Sequence, residues 1–292
     1  MLRYGWRVPG CKETQLRAVS VRPPVCRLDG HRSSARPQPP SSQSNYCYFF
    51  ESAMAYHNKT FAILKREPKK SAMALAEIEN AERHLGIRLP SSVREWYTCQ
   101  DAFSILASHS NDDPPIPLRK LELEQWNSNR LLPFKHENQG VCVWSILLDE
   151  SDDPPVFVNV DDSGWNLQAS TFSDYVYSCV WDYAVVFGKP ALVQAQNDPV
   201  SDGAIQSLAA EFSEQLRTHG WPGCTQYRFA GNRQAILVWS AENQADWFVA
   251  ADDADALRSV LHIIWDIDAV GQSLYDCSEI GKSVLDGIRG RE

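Results

Sequence analysis

Residues 137–158 constrain this chain most. Glu137-Asn138-Gln139-Gly140 is a polar turn, and Val141 to Leu148 is an almost unbroken apolar run. Asp149 to Pro155 is an acidic turn ending in two prolines, and Val156-Phe157-Val158 opens a second apolar run. Val141, Val143, Ser145 and Leu147 alternate with Cys142, Trp144, Ile146 and Leu148, so one face of the first strand is wholly apolar and the other nearly so. A strand of that kind is expected to be covered on both faces and central in its sheet. Pro154 and Pro155 fix φ just before the next strand, where a missing N–H is tolerated. The pattern predicts a hairpin with acidic charge at its tip.

Helical spacing precedes it. Leu75, Ile78, Ala81 and Leu85 fall on one face of a helix over 74–85, and Gly86 follows as its stop. Ser91 or Ser92 caps a shorter helix through Trp96 and Tyr97. A strand is predicted near Leu131–Phe134, then strands at 140–148, 155–160 and 164–169. Thr171 caps a helix carrying Phe172, Tyr175, Val176, Cys179 and Tyr183. The order is α-α-β-β-β-α, an α+β pattern. Leu85, Trp96, Val141, Val143, Trp144, Phe157 and Phe172 are its predicted core.

Beyond a polar bridge at Gln194–Asp198, a smaller α-β-β-β-α unit is expected over 200–268. Its first helix carries Ile205, Leu208, Phe212 and Leu216 and stops at Gly220; strands follow at 225–230, 234–240 and 246–251. Its last helix starts at Asp252 or Asp253 and carries Leu257, Val260, Leu261 and Ile264. Val238-Trp239-Ser240 echoes Val143-Trp144-Ser145; a degenerate duplication and ordinary strand composition both account for this. Residues 269–292 are expected as a tail. Residues 1–53, rich in Arg, Pro and Ser, are expected as a disordered leader, either a start-site artefact or a transit peptide.

Charge narrows the partner. The formal net charge is −9, yet residues 1–50 carry seven Arg and one Lys against Glu13 and Asp29, so the body is more acidic than the total. Between Val141 and Asp202 the only base is Lys189, among ten acids. Phosphate would be repelled, so nucleic acid is not expected as a ligand. No run approaches ~18 apolar residues, so no membrane span is expected, and a cytoplasmic location follows by default. The eight cysteines form no Cys-x-x-Cys pair and are read as reduced thiols.

Catalytic motifs are absent. Gly281-Lys282-Ser283 lacks the earlier glycine of a phosphate loop, because position 276 is Asp. There is no Gly-x-Ser-x-Gly and no His-Glu-x-x-His. The acidic doublets 112–113, 152–153, 161–162 and 252–253 each offer one carboxylate per strand face, which suits turn capping better than a metal. No cofactor or metal is expected, and an enzyme would need a site assembled only in three dimensions.

Four pieces taken in order carry a resemblance. The stretch from Ile78 to Tyr97, with Leu85-Gly86-Ile87-Arg88-Leu89-Pro90 between its two helices, resembles the opening of the SUKH superfamily. That superfamily includes yeast Smi/Knr-type cell-wall regulators and many bacterial immunity proteins against polymorphic toxins. The Glu137-Asn138-Gln139-Gly140-Val141…Trp144 strand and the Asp152-Asp153-Pro154-Pro155-Val156 turn resemble its middle, and Thr171-Phe172-Ser173 resembles the start of its closing helix. The resemblance runs from about 72 to 188 and implies a SUKH-like mixed sheet packed with helices over 54–190. It also implies protein binding: an immunity protein that neutralises a basic toxin, such as a nuclease, or a Smi/Knr-like regulatory scaffold. Asp149, Glu150, Asp152, Asp153, Asp161 and Asp162 are the expected partner-binding set, because a negative field steers a cationic protein.

Overall fold

In the computed structural model, which describes residues 54–111, 113–161, 164–220 and 224–290, two antiparallel sheets are joined by one long helical segment. The expected leader 1–53 lies outside the described residues, as does Asp162. Helices α1 (Asn58–Leu64), α2 (Ala72–Leu85), α3 (Ser91–Thr98) and α4 (Ala102–Ser108) come first. The first sheet follows: β1 (Glu124–Trp126), β2 (Asn129–His136), β3 (Cys142–Leu147), β4 (Val156–Val160) and β5 (Trp165–Ala169), paired in that order. Helix α5 (Phe172–Trp181) closes this part and runs on as a π-helical turn over Asp182–Phe187.

Strand β3 is the middle strand of its sheet, as the sequence predicts. The class is α+β, but the sheet expected to be mixed is antiparallel throughout its described pairings. Short turns join consecutive strands, and a two- to eight-residue link can only reverse the chain; a parallel pair needs a long crossover.

Helices α1–α5 cover one face of this sheet. The core there holds Trp96, Phe134, Phe172, Cys142, Trp144 and Ile146, with Leu85 half-buried against it. Val141, Val143 and Phe157, also predicted as core, are half-buried on the opposite face. The pleat alternates by residue, so once Cys142, Trp144 and Ile146 face the helices, Val143 cannot. Phe157 packs instead on Trp126, with ring centroids 5.5 Å apart.

Local signals explain the helix boundaries. Ser71 caps α2 by accepting from the Ala74 N–H at 3.3 Å, and Gly86 ends it at φ 67°. Thr171 caps α5 through the Asp174 N–H at 3.0 Å. Glu95 of α3 accepts from the backbone N–H groups of Ala55, Tyr56 and His57 at 2.7, 2.8 and 3.1 Å, fixing the chain ahead of α1.

The second part is larger than the sequence suggests. Strand β6 (Ala191–Asn197) leads into α6 (Asp202–Glu211), then β7 (Ser213–Glu214), β8 (Thr218–His219), β9 (Thr225–Ala230), β10 (Gln234–Ser240) and β11 (Ala245–Ala251). Helix α7 (Ala254–Ile264), α8 (Val270–Ser273), β12 (Leu274–Asp276) and α9 (Glu279–Arg289) complete it. The sheet order is β12-β6-β11-β10-β9-β7, with β8 beside β9. The expected polar bridge at 194–198 is therefore largely β6, whose Gln194 and Gln196 alternate with buried Val193 and Ala195. The stretch expected as a tail pairs with β6 and packs α9 on the sheet.

Gly281 gains a structural role here. It lies in α9, where a Cβ would collide with the Leu192 carbonyl, and the Ser278 hydroxyl that caps α9 also accepts from the Leu192 N–H at 2.9 Å. The glycine lets a helix approach a strand backbone; it does not cradle a phosphate. All described residues belong to one compact unit.

Trp144 is 6% exposed at the centre of the first core. Replacing it with Ala should cost about 3–5 kcal/mol in chemical denaturation, the usual range for deleting a buried large aromatic. An unchanged denaturation midpoint would contradict this assignment.

Candidate functional site

The acidic residues separate into two groups. The β3–β4 turn carries Asp149, Glu150, Asp152 and Asp153; Asp161 lies in the β4–β5 turn. Successive turns of an antiparallel meander lie at opposite ends of the sheet, and β4 is five residues long. At about 3.4 Å per residue the turns stand roughly 15 Å apart. The five described acids therefore do not form one face.

Within the β3–β4 turn the four acids do different jobs. Asp152 sits at the N-terminus of α3, where Pro90 offers no side-chain cap. Its carbonyl accepts from the Ser92 N–H at 2.8 Å and its carboxylate from the Ser91 hydroxyl. Asp153 accepts from the Ser173 N–H at 3.0 Å and the Ser173 hydroxyl at 2.6 Å, in the first turn of α5. The Asp152 carbonyl and the Asp153 carboxylate thus satisfy helix N-terminal N–H groups, and both carboxylates lie at the positive ends of helix dipoles. Asp149 and Glu150 lie at the apex, exposed as Asp152 also is; Asp149 accepts from the Ser151 N–H at 3.1 Å within the turn, and Glu150 is in the left-handed region at φ 71°. Arg130 on β2 lies at the same end, its carbonyl accepting from the Leu148 N–H at 2.9 Å. A count along the sequence misses that base.

A second polar arrangement was not foreseen. Lys135 of β2 is buried; its Nζ lies 3.5 Å from an Asp113 carboxylate oxygen, 3.3 Å from the Tyr175 hydroxyl and 4.4 Å from the Trp144 ring centre. Burial pushes the Asp113 carboxyl above its ordinary value, and Lys135 pulls it part of the way back. Nearby, Arg228 of β9 grips Asp182 with two bonds, Nε–Oδ1 at 2.7 Å and Nη2–Oδ2 at 2.9 Å. Its remaining donors reach the Leu216 carbonyl, the Thr218 hydroxyl and Gln226. Asp113, Lys135 and Tyr175 of the first group and Asp182 and Gln226 of the second line a cavity of about 70 Å³ between the two sheets, room for little more than water. One sequence signal existed, and only for the first: Lys135 directly follows the apolar run Leu131–Phe134, whereas Arg228 sits in the mixed strand Thr225–Ala230.

The chemistry of this seam is structural in character. Burial pushes the Cys142 thiol up to about 12 and Cys179 upward as well, so both are protonated at neutral pH and poor nucleophiles. His57, buried with its Nε2 3.0 Å from the Ser92 carbonyl, is held neutral because burial lowers its pKa. Among the described residues, no group of three or more His, Cys, Asp or Glu is placed to hold a metal ion, and no helix is long and apolar enough to cross a membrane.

Two measurements check the seam. Asp182→Ala should cost about 3–5 kcal/mol, because it strands a buried guanidinium; changing Asp182 and Arg228 together to Leu and Met should cost less than the single change. A double variant weaker than the single one would refute the pairing. The second concerns pH. A carboxyl with a raised folded-state pKa adds stability as pH falls through that value, and the gain is complete below the ordinary value of 3.8. The penalty of Asp113→Asn relative to wild type should therefore grow from neutral pH towards pH 4. A penalty independent of pH would show that Asp113 titrates normally.

No curated protein and no solved structure matches the chain. Residues 73–178, which hold nearly all of α2, the whole first sheet and most of α5, match the SMI1 / KNR4 family (SUKH-1), and this stretch is of the SUKH superfamily.

Proposed function

We propose that this protein is a non-catalytic binding module whose SUKH stretch meets a basic protein through the Asp149–Glu150 apex, in the manner of an immunity protein that neutralises a cationic toxin inside the cell. The observation that carries the reading is the division of labour in the β3–β4 turn. Asp152 and Asp153 tie the turn to α3 and α5, whereas Asp149 and Glu150 stand exposed at the apex of the loop so held. Fixed charge of this kind raises encounter rates, and a held loop loses little entropy on binding. The match to the SUKH-1 family supports protein binding as the general role. Cys99, Cys142, Cys179 and Cys224 are thiols, consistent with a reducing compartment.

The test uses Asp149→Asn with Glu150→Gln, which leaves the two helix-anchoring acids intact. Association with the protein recovered by pull-down from the native host should slow on the order of tenfold at low ionic strength. The salt dependence of the rate should also flatten, since exposed charges are screened within about 8–10 Å. Equal salt slopes for wild type and variant would overturn the proposed face, and a partner without excess positive charge would overturn the reading.

A further inference from the structure

His57 sits where the segment leading into α1, the first turn of α3 and the start of α5 meet. It is fully buried, with the Trp96 and Phe172 rings against its own at centroid distances of 5.0 and 5.9 Å. The Ser92 carbonyl, 3.0 Å from Nε2, can only accept, so Nε2 carries the ring proton. Nδ1 then holds a bare lone pair, and it has no hydrogen-bond partner among the described residues. A second proton would therefore create a buried positive charge and a buried N–H with nothing to receive it.

The charged groups around the ring are engaged elsewhere. Glu95 of α3 and Asp153 of the β3–β4 turn both favour the cation, but burial outweighs them and holds the ring below its ordinary value of 6.5. The Glu95 carboxylate accepts from the N–H groups of Ala55, Tyr56 and His57, and Asp153 from Ser173. Asp174 of α5 interacts with Asp153 and with Lys59 of α1. Helix α1 is only seven residues long, with Asn58, Lys59 and Ala62 exposed and Thr60 and Phe61 turned inward. A helix that short does not persist off its support, so the segment is either packed or released as one piece.

We infer that His57 is an acid-sensitive latch: a proton added at Nδ1 releases residues 54–64 from α3 and α5. In the released segment the ring reaches water and titrates at its ordinary value, so release takes up one proton. A histidine depressed in the packed form favours the open form as pH falls below 6.5, and the gain levels off below the packed-form value. Release also exposes Phe61, which packs on Trp96 with ring centroids 5.9 Å apart. The latch does not depend on what the acidic apex binds.

Hydrogen exchange of the full chain between pH 7 and pH 5, corrected for intrinsic exchange rates, tests it. Peptides covering 54–64 should lose protection by up to about tenfold per pH unit below 6.5, whereas those covering β10 should not. His57→Gln keeps a side-chain donor for the Ser92 carbonyl and cannot titrate, so it should flatten that dependence. The His57 ring of the wild-type chain, followed by NMR, should titrate below 6.5, a measurement that stands even if the variant does not pack α1. Protection of 54–64 that is independent of pH, or a ring that titrates at or above 6.5, would overturn the inference. A slope kept in His57→Gln would also overturn it and would assign the release to Glu95.

Discussion

The buried pair between Asp182 and Arg228 is the constraint on which the rest of the molecule depends. Arg228 is wholly buried, and moving such a cation out of water is costly unless its donors are met. The fold meets them with a two-point carboxylate grip plus the Leu216 carbonyl, the Thr218 hydroxyl and Gln226. Asp182 is the first residue of the π-helical turn that continues α5, and Arg228 lies on β9 of the second sheet. The pair therefore fixes where the closing helix of the SUKH stretch meets the sheet that follows it.

That placement makes one helical segment serve two cores. Phe172, Tyr175, Val176 and Val180 pack with the first sheet, whereas Trp181 and Val186 pack with Leu192, Leu237, Trp239 and Phe248 of the second. The other face of the second sheet is covered by α6, α7 and α9 through Leu208, Leu257, Leu261 and Leu285. This explains why β10 is buried at five consecutive positions: Ile236 and Val238 point one way, Ala235, Leu237 and Trp239 the other, and both sides are covered. The family match stops at 178, just before the segment changes cores.

Much of this was legible in the sequence where the physics is local. Thr171, Ser201 and Asp253 cap helices with their own side chains, and the strands at 225–230 and 234–240 occupy the predicted residues. What escaped depends on parity or on distant partners. The alternation over Val141–Leu148 shows two apolar faces, but only the helices on one side decide that Trp144 is core and Val143 is not. Strand β6 reads as polar because its glutamines mark one face of a strand seven residues long. Strand β12 is three residues, too short for any period to register, and exists because β6 offers it an open edge.

The acidic turn shows the same limit for the candidate site. Asp149, Glu150, Asp152 and Asp153 are nearly equivalent in a charge count, and sequence gives no reason to divide them. The division comes from two helix N-termini that the fold brings to the turn: α3, whose proline cap lacks an acceptor, and α5, whose Ser173 offers both an N–H and a hydroxyl. The N–H groups that must be satisfied there are met by the Asp152 carbonyl and the Asp153 carboxylate, which makes both residues structural. The charge that those helices do not use is that of Asp149 and Glu150, and the anchoring holds it in place at the apex.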